Sequence, residues 1–330
     1  MKVAVLGNGG FGTAMAIAAV RAGREVAMWG HDPVYTAEVA RTRRNPRYLP
    51  DVEIPVAVAI SADPVAVLVG AEVVLVAVPT QHLRGVVSGM SAHLRVGAAL
   101  VSLAKGLEQT SGLRPSEVLT AIAPGHPVLA LSGPSHAEEV ARGLPALVVL
   151  AGATPEIRRV LQQALSDQHL RVYRNDDLLG VELCGALKNV IALAAGIAEG
   201  IGLGDNARAA ILSRGLAEMV RFGVAAGARA ETFYGLAGVG DLAVTAFSQH
   251  GRNRALGVRI GRGETLQAIL ASTQKVAEGV YTSRVVRSRA AAMGVEMPLC
   301  DAVCRVLFEQ FSPVTAVREL MERDRKREMD

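Results

Sequence analysis

Residues 1–14 read MKVAVLGNGGFGTA. KVAVLG is a short β-branched run that ends on a glycine, and Gly7-Asn8-Gly9-Gly10-Phe11-Gly12 satisfies G-x-G-x-x-G directly behind it. In that context Gly7 makes a tight turn, Gly9 lets backbone approach a pyrophosphate, and Gly12 allows close helix–strand packing. A helix opening from Thr13 then offers free N–H groups and a positive dipole end to the phosphates. The motif is weak in isolation, but strand, turn and helix stand here in the right order. The reading is a βαβ dinucleotide-binding unit.

Outward from this unit the pattern repeats. EVAMWG, EVVLVAVP, AALVSLA, PVLALSG, PALVVLA and LRVYRN are further near-continuous apolar runs, separated by helical stretches over the first 180 residues. Runs of that kind indicate strands buried on both faces, hence a mostly parallel, doubly wound Rossmann-like α/β sheet. From about Val181 the character changes. VELCGALKNVIALAAGIAEG reads as one long helix and no convincing strand follows, with Asp205, Ser272 and Ser312 as candidate helix-entry residues. The expected organisation is a nucleotide-binding domain over 1–180 and an all-helical substrate and catalytic domain over 181–330.

Composition bounds the rest. The 330 residues are 50% apolar and 20% charged, which excludes a disordered or fibrous chain and suits about two domains. A net charge of +4 and a pI near 9.1 invite a nucleic-acid partner. The basic residues are scattered, however, and the C-terminal ERDRKREMD carries four of each sign, so no nucleic-acid binding is expected. Three cysteines make no disulfide framework, and Cys300 and Cys304 read as core thiols in a reducing compartment. With no signal-peptide pattern and no uninterrupted apolar span, the expectation is a cytoplasmic protein without membrane insertion. The seven histidines form no metal pattern, and His136 and His250 carry no signal of their own. No metal is expected.

The ribose end stays open between two cofactors. The tip of the second strand reads Trp29-Gly30-His31-Asp32, with Arg41, Arg43, Arg44 and Arg47 in the next segment. His31 with Arg41, Arg43 and Arg44 would tolerate the 2′-phosphate of NADP, whereas Asp32 would reach the 2′-OH of NAD, so use of both cofactors is expected. The same arginines also read as a solvated helix face.

Chemistry concentrates at three places. Only five of the 35 basic residues are lysines, and Lys188 lies on the apolar helix with no carboxylate within a turn. Desolvation lowers a lysine's pKa and suits it to moving a proton, although a lysine snorkelling from a helix edge looks the same in sequence. Lys105 follows AALVSLA, and Gly133 and Ser135 follow PVLALSG, at the carboxyl edge where ligands of such sheets sit. Ser135 is a candidate N-cap. Asp241 is the sole acid in the loop GLAGVGDL, either functional or a helix cap, and Arg252-Asn253 offer phosphate donors.

The chain resembles the bacterial NAD(P)-dependent glycerol-3-phosphate dehydrogenases from Val3 to about Glu319. The resemblance is carried by GNGGFGTA (7–14), WGHD (29–32), NPRYLP (45–50), AKGLE (104–108), SGPSHAEEV (132–140) and GALKNVIALAAGIAEGIGLGDNARAAILSRGLAEM (185–219). It continues in GLAGVGDL (235–242), GRNR (251–254), VAEGVYT (276–282) and GVEMP (294–298). It implies hydride transfer between NADH or NADPH and dihydroxyacetone phosphate, forming glycerol 3-phosphate for phospholipid synthesis. By position, Lys188 matches the catalytic lysine, with Asp241 beside it in the reaction. Lys105, Gly133, Ser135, Lys188, Asp241, Gly251, Arg252 and Asn253 match substrate positions. Gly7, Gly9, Gly10, Phe11, Gly12, His31, Tyr48, Lys105, Ala137, Arg252, Val276 and Glu278 match cofactor positions. Gly10 and Gly251 depart from the serines usual there, the second costing a hydroxyl that would meet substrate.

The rivals are a 3-hydroxyacid dehydrogenase, a ketopantoate reductase and a catalytically silent dinucleotide sensor. Ala192 at i+4 from Lys188, where the hydroxyacid enzymes typically carry asparagine, weighs against the first; the joint presence of Lys188, Asp241 and Arg252 weighs against the sensor. The expected partner is a small-molecule substrate, with a homodimer as the candidate assembly.

Overall fold

The structure, a computed structural model, describes residues 1–248, 251–273, 277–325 and 327. All seven apolar runs form strands: β1 (Lys2–Leu6), β2 (Glu25–Trp29), β6 (Val73–Val76), β7 (Ala99–Ser102), β8 (Val128–Ser132), β9 (Ala146–Gly152) and β10 (Leu170–Asn175). Three further strands lie between β2 and β6. A hairpin pairs β3 (Arg44–Asn45) with β4 (Leu49–Glu53), and β5 (Val58–Ser61) joins the main sheet beside β2.

The sheet order is β10-β9-β8-β7-β6-β1-β2-β5, parallel throughout except where β8 meets β9. β1 sits between β2 and β6, where the strand order reverses and an open α/β sheet leaves a crevice at its carboxyl edge. Alternate residues of the strands point into two cores. Val3 and Val5 join Met15, Ile17 and Leu131 on one face, and Ala4 and Leu6 join Leu68, Leu83 and Leu119 on the other.

Several helices begin where an Asp, Thr or Ser side chain caps the first turn and proline follows at the first helical position. Asp32, Asp63, Thr154 and Ser312 all do this. Such prolines lose no hydrogen bond, and their fixed φ suits a helix start. Two of the expected helix-entry residues differ. Asp205 lies inside the first turn behind Gly204, and Ser272 closes Leu266–Ala271, whose entry residue is Thr265.

The chain forms two compact units, Met1–Gly185 with Ala228–Asp241, and Ala186–Gly227 with Leu242–Asp330. In the first, the buried Asp177 carboxylate accepts hydrogen bonds from the N–H groups of Gly180 and Arg229 and from the Thr232 hydroxyl, fastening the second segment to the first. In the second, glycines bring two helices into backbone contact. Added Cβ atoms at Gly196 and Gly257 would lie 2.2 Å from the Arg254 carbonyl oxygen and 2.4 Å from that of Leu193. Glu218, 3% exposed, accepts from the N–H groups of Leu299 (2.7 Å) and Cys300 (3.2 Å) at the start of Pro298–Phe308. Desolvation pushes its carboxyl up to about 7. Cys184, Cys300 and Cys304 are buried and unbridged. The helix Leu178–Gly200 is long and apolar enough to cross a membrane, but 89% of its most apolar window is buried inside the protein.

Candidate functional site

The first helix, Gly10–Arg21, begins three residues before Thr13, so the glycines themselves form its first turn. Gly7 has φ +111°, and a Cβ there would lie 2.7 Å from the Ala77 carbonyl oxygen. At Gly12 a Cβ would lie 2.0 Å from the Gly7 carbonyl oxygen. Gly9 leads into the helix from an extended conformation, and a Cβ on it would enter open space. No side chain caps this end. The amides of Gly10, Phe11 and Gly12 precede the first i−4 bond, which Thr13 donates to the Gly9 carbonyl. Bare amides beside open space suit a diphosphate. The departure at Gly10 has a steric cause, since any Cβ there would lie 2.8 Å from the Tyr48 carbonyl oxygen.

At the tip of β2, His31 is exposed and Asp32 is partly committed. Asp32 Oδ1 accepts from the Tyr35 N–H (3.0 Å), which holds its carboxyl below the usual range, and Oδ2 lies 3.6 Å from Arg47 Nη1. The Arg47 guanidinium lies 4.0 Å from the Tyr35 ring centre, and Tyr48 meets that ring edge-on at 6.0 Å. Arg43 is not available to a phosphate. Its guanidinium donates to the carbonyls of Ile54, Pro55 and Val58, and burial lowers its pKa. Arg41 and Arg44 are exposed.

The carboxyl edge of the sheet carries an ion pair. Lys105, just beyond β7, donates through Nζ to Asp241 Oδ2 (2.8 Å) and to the Gly133 carbonyl (3.0 Å), and Nζ lies 5.9 Å from the Phe11 ring centre. Asp241 is 2% exposed and follows a π-helical turn, Leu236–Gly240, that delivers it to this edge. Gly133 (φ +133°) could not carry a side chain without strain. Ser135 is no N-cap: its hydroxyl donates to the Gly133 carbonyl (2.9 Å), and His136 holds the cap position of Ala137–Arg142. Ala137 borders Gly10, its Cβ 3.6 Å from where a Gly10 Cβ would sit. Gly185 lets the long helix ride against Lys105, a Cβ there falling 3.4 Å from Lys105 Cγ. Gly10, Phe11, Tyr48, Lys105, Gly133, Ser135, Ala137 and Asp241 thus belong to one unit.

The helical unit carries the remaining candidates. Lys188 is 4% exposed, so it does not snorkel, and its ammonium donates to Thr245 Oγ1 (2.6 Å). Thr245 lies one turn beyond Asp241 on the helix Asp241–Phe247, and no sequence motif singled it out. Asn253 Oδ1 accepts from the Gly279 N–H (3.0 Å), tying Arg252–Gly261 to the first turn of Glu278–Met293. Arg252 is exposed in its helix's first turn, and Glu278 is half-buried. Gly251 precedes that helix, and a Cβ on it would lie 2.6 Å from the Thr245 carbonyl oxygen, which explains the missing serine. Val276 and His250 lie outside the described residues.

The N-terminal model of the NAD-dependent glycerol-3-phosphate dehydrogenases matches residues 2–157, and the C-terminal model matches residues 177–318. A glycerol-3-phosphate dehydrogenase [NAD(P)+] of Thioalkalivibrio sulfidiphilus is 45% identical over 327 residues, covering 99% of this chain and 98% of its own. One from Salinibacter ruber is 45% identical over 330 residues, covering 99% and 97%. The crystal structure of the Coxiella burnetii glycerol-3-phosphate dehydrogenase superposes with a TM-score of 0.93 at 38% identity, over 98% of this chain and 99% of that one. Matched along both halves, the chain belongs to the NAD-dependent glycerol-3-phosphate dehydrogenase family.

Proposed function

We propose that this protein interconverts dihydroxyacetone phosphate and sn-glycerol 3-phosphate with NADH or NADPH. The observation that carries the mechanism is the burial of Lys188 with its ammonium held by Thr245. When bound, the reduced nicotinamide supplies the hydride that C2 of the substrate takes up. The C2 oxygen then needs a proton, and Lys188 donates it from its ammonium. In the reverse direction neutral Lys188 accepts the proton of the C2 hydroxyl. A cation placed where an alkoxide develops favours the transition state over the neutral carbonyl.

The other residues hold and orient. Gly7, Gly9, Gly10, Phe11 and Gly12 receive the cofactor diphosphate, with His31, Tyr48, Lys105, Ala137, Arg252, Val276 and Glu278 on the cofactor side. Asp241 keeps the Lys105 ammonium in place and orients a substrate hydroxyl. Arg252, Asn253 and the backbone at Gly251, Gly133 and Ser135 take the phosphate ester, since a guanidinium fork matches phosphate geometry. In this reading residues 1–180 bind cofactor and residues 181–330 carry the proton donor. The product supplies phospholipid synthesis in the cytoplasm, and the working assembly is a homodimer.

The test is oxidation of NADH and NADPH by the purified protein with dihydroxyacetone phosphate, ketopantoate or unphosphorylated dihydroxyacetone. Turnover with the phosphate ester alone is expected. Comparable turnover with ketopantoate, or none with any of the three, overturns the assignment.

A further inference from the structure

A buried polar network centred on Asn45 lies behind the glycine loop. Asn45, fully buried in the short strand β3, uses its whole carboxamide. Nδ2 donates to the Asn8 carbonyl (2.8 Å) and to Thr13 Oγ1 (2.8 Å), and Oδ1 accepts from the Tyr35 hydroxyl (2.6 Å). The Tyr35 oxygen in turn accepts the Arg47 N–H (3.0 Å). Asn8, at the second position of the glycine motif, donates through Nδ2 to Thr36 Oγ1 (3.2 Å). Gly30 makes room for this meeting, because a Cβ there would fall 2.2 Å from Thr36 Oγ1. The hairpin therefore grips the loop from behind at Asn8 and Thr13, while the Tyr48 carbonyl abuts Gly10.

The loop needs such a grip. Four glycines in six residues lose more conformational freedom on ordering than any other sequence, and a free loop would lose it at the moment of binding. A loop already held offers its amides without that cost. We propose that Asn45 is a positioning residue for the dinucleotide: its carboxamide, seated on Asn8 and Thr13, holds the Gly7–Gly12 loop in the geometry that receives the diphosphate. This rests on the cofactor reading above. No other residue of similar size serves. Aspartate would set a carboxylate against the Asn8 carbonyl, and leucine would leave that carbonyl and the Tyr35 hydroxyl buried without partners.

The test is isothermal titration of the full-length protein with ADP-ribose, which carries the diphosphate and no nicotinamide, beside fluorescence titration with NADH. The variants are Asn45→Ala, Thr13→Val (the same shape without the acceptor) and Thr13→Ser, which keeps it. Asn45→Ala and Thr13→Val are expected to raise the Kd of both ligands about tenfold, and Thr13→Ser to stay within about twofold of the parent. The KM for NADH should rise while kcat holds. If Asn45→Ala fails to fold, Thr13→Val answers alone. Unchanged Kd in the folded variants, even with a lowered melting temperature, reduces the network to a structural one and overturns the proposal. A parent protein that binds no ADP-ribose overturns the cofactor reading itself.

Discussion

Replacing Glu218 with Gln should change how the protein's stability responds to pH. Burial pushes the Glu218 carboxyl from 4.5 up to about 7, and the N–H groups of Leu299 and Cys300 only partly compensate the charged form. Between those values the unfolded chain has released the proton and the folded protein still holds it. Stability therefore falls as pH rises from 4.5 to about 7 and levels off above, by ~1.36 kcal/mol per pH unit or ~3 kcal/mol in all. Glutamine keeps the carbonyl acceptor and cannot ionise. The two proteins should match near pH 5 and diverge upward, Glu218→Gln melting higher at pH 8 by ~6 °C, at roughly 2 °C per kcal/mol. Thermal unfolding of both proteins at half-unit steps from pH 5 to 8.5 is the assay. Parallel curves across the range would mean that Glu218 is charged in the folded protein, and the reasoning fails.

Three further predictions concern the site. Lys188→Ala should lower turnover at least about a thousandfold while leaving the Kd for NADH within about twofold; stopped-flow reduction and fluorescence titration check both, and near-normal turnover would remove Lys188 from proton transfer. Gly251→Ser should destabilise by ~1–3 kcal/mol and raise the KM for dihydroxyacetone phosphate, since its Cβ would press on the Thr245 backbone; a melting temperature and KM equal to the parent's would refute this. Arg47→Ala should weaken NADPH about fivefold more than NADH, because Arg47 stands on Tyr35 beside Asp32 at the tip of β2, whereas Arg43→Ala should lower the melting temperature without moving that ratio. Equal losses for both cofactors on removing Arg47 would show that it takes no part in the choice.

The sheet was legible because a strand buried on both faces leaves a short β-branched apolar run bounded by turn residues. Two-residue β3 carries too little pattern to stand out, and it exists because Leu49–Glu53 is there to pair with it. Ser272 misled because a serine beside a six-residue helix looks alike at either end. Residues inside motifs could be named from sequence, but their partners could not. Thr245 meets Lys188 from 57 residues away and Asn45 meets Thr13 from 32, and hydrogen bonds across such separations leave no periodicity. The steric reasons for Gly10 and Gly251 lie in carbonyl oxygens that only the folded backbone brings near.

The segment Ala228–Asp241 means that the chain passes between its two units three times, after Gly185, after Gly227 and after Asp241. The α/β unit is therefore not a cassette that a single recombination event could lift out. A gene fragment ending at residue 185 would encode all ten strands yet lack the Arg229 amide and Thr232 hydroxyl that Asp177 holds, leaving a nearly buried carboxylate without those donors. It would also lack Asp241, and with it the carboxylate that answers Lys105. Exchange of the helical half between relatives would have to carry three junctions at once.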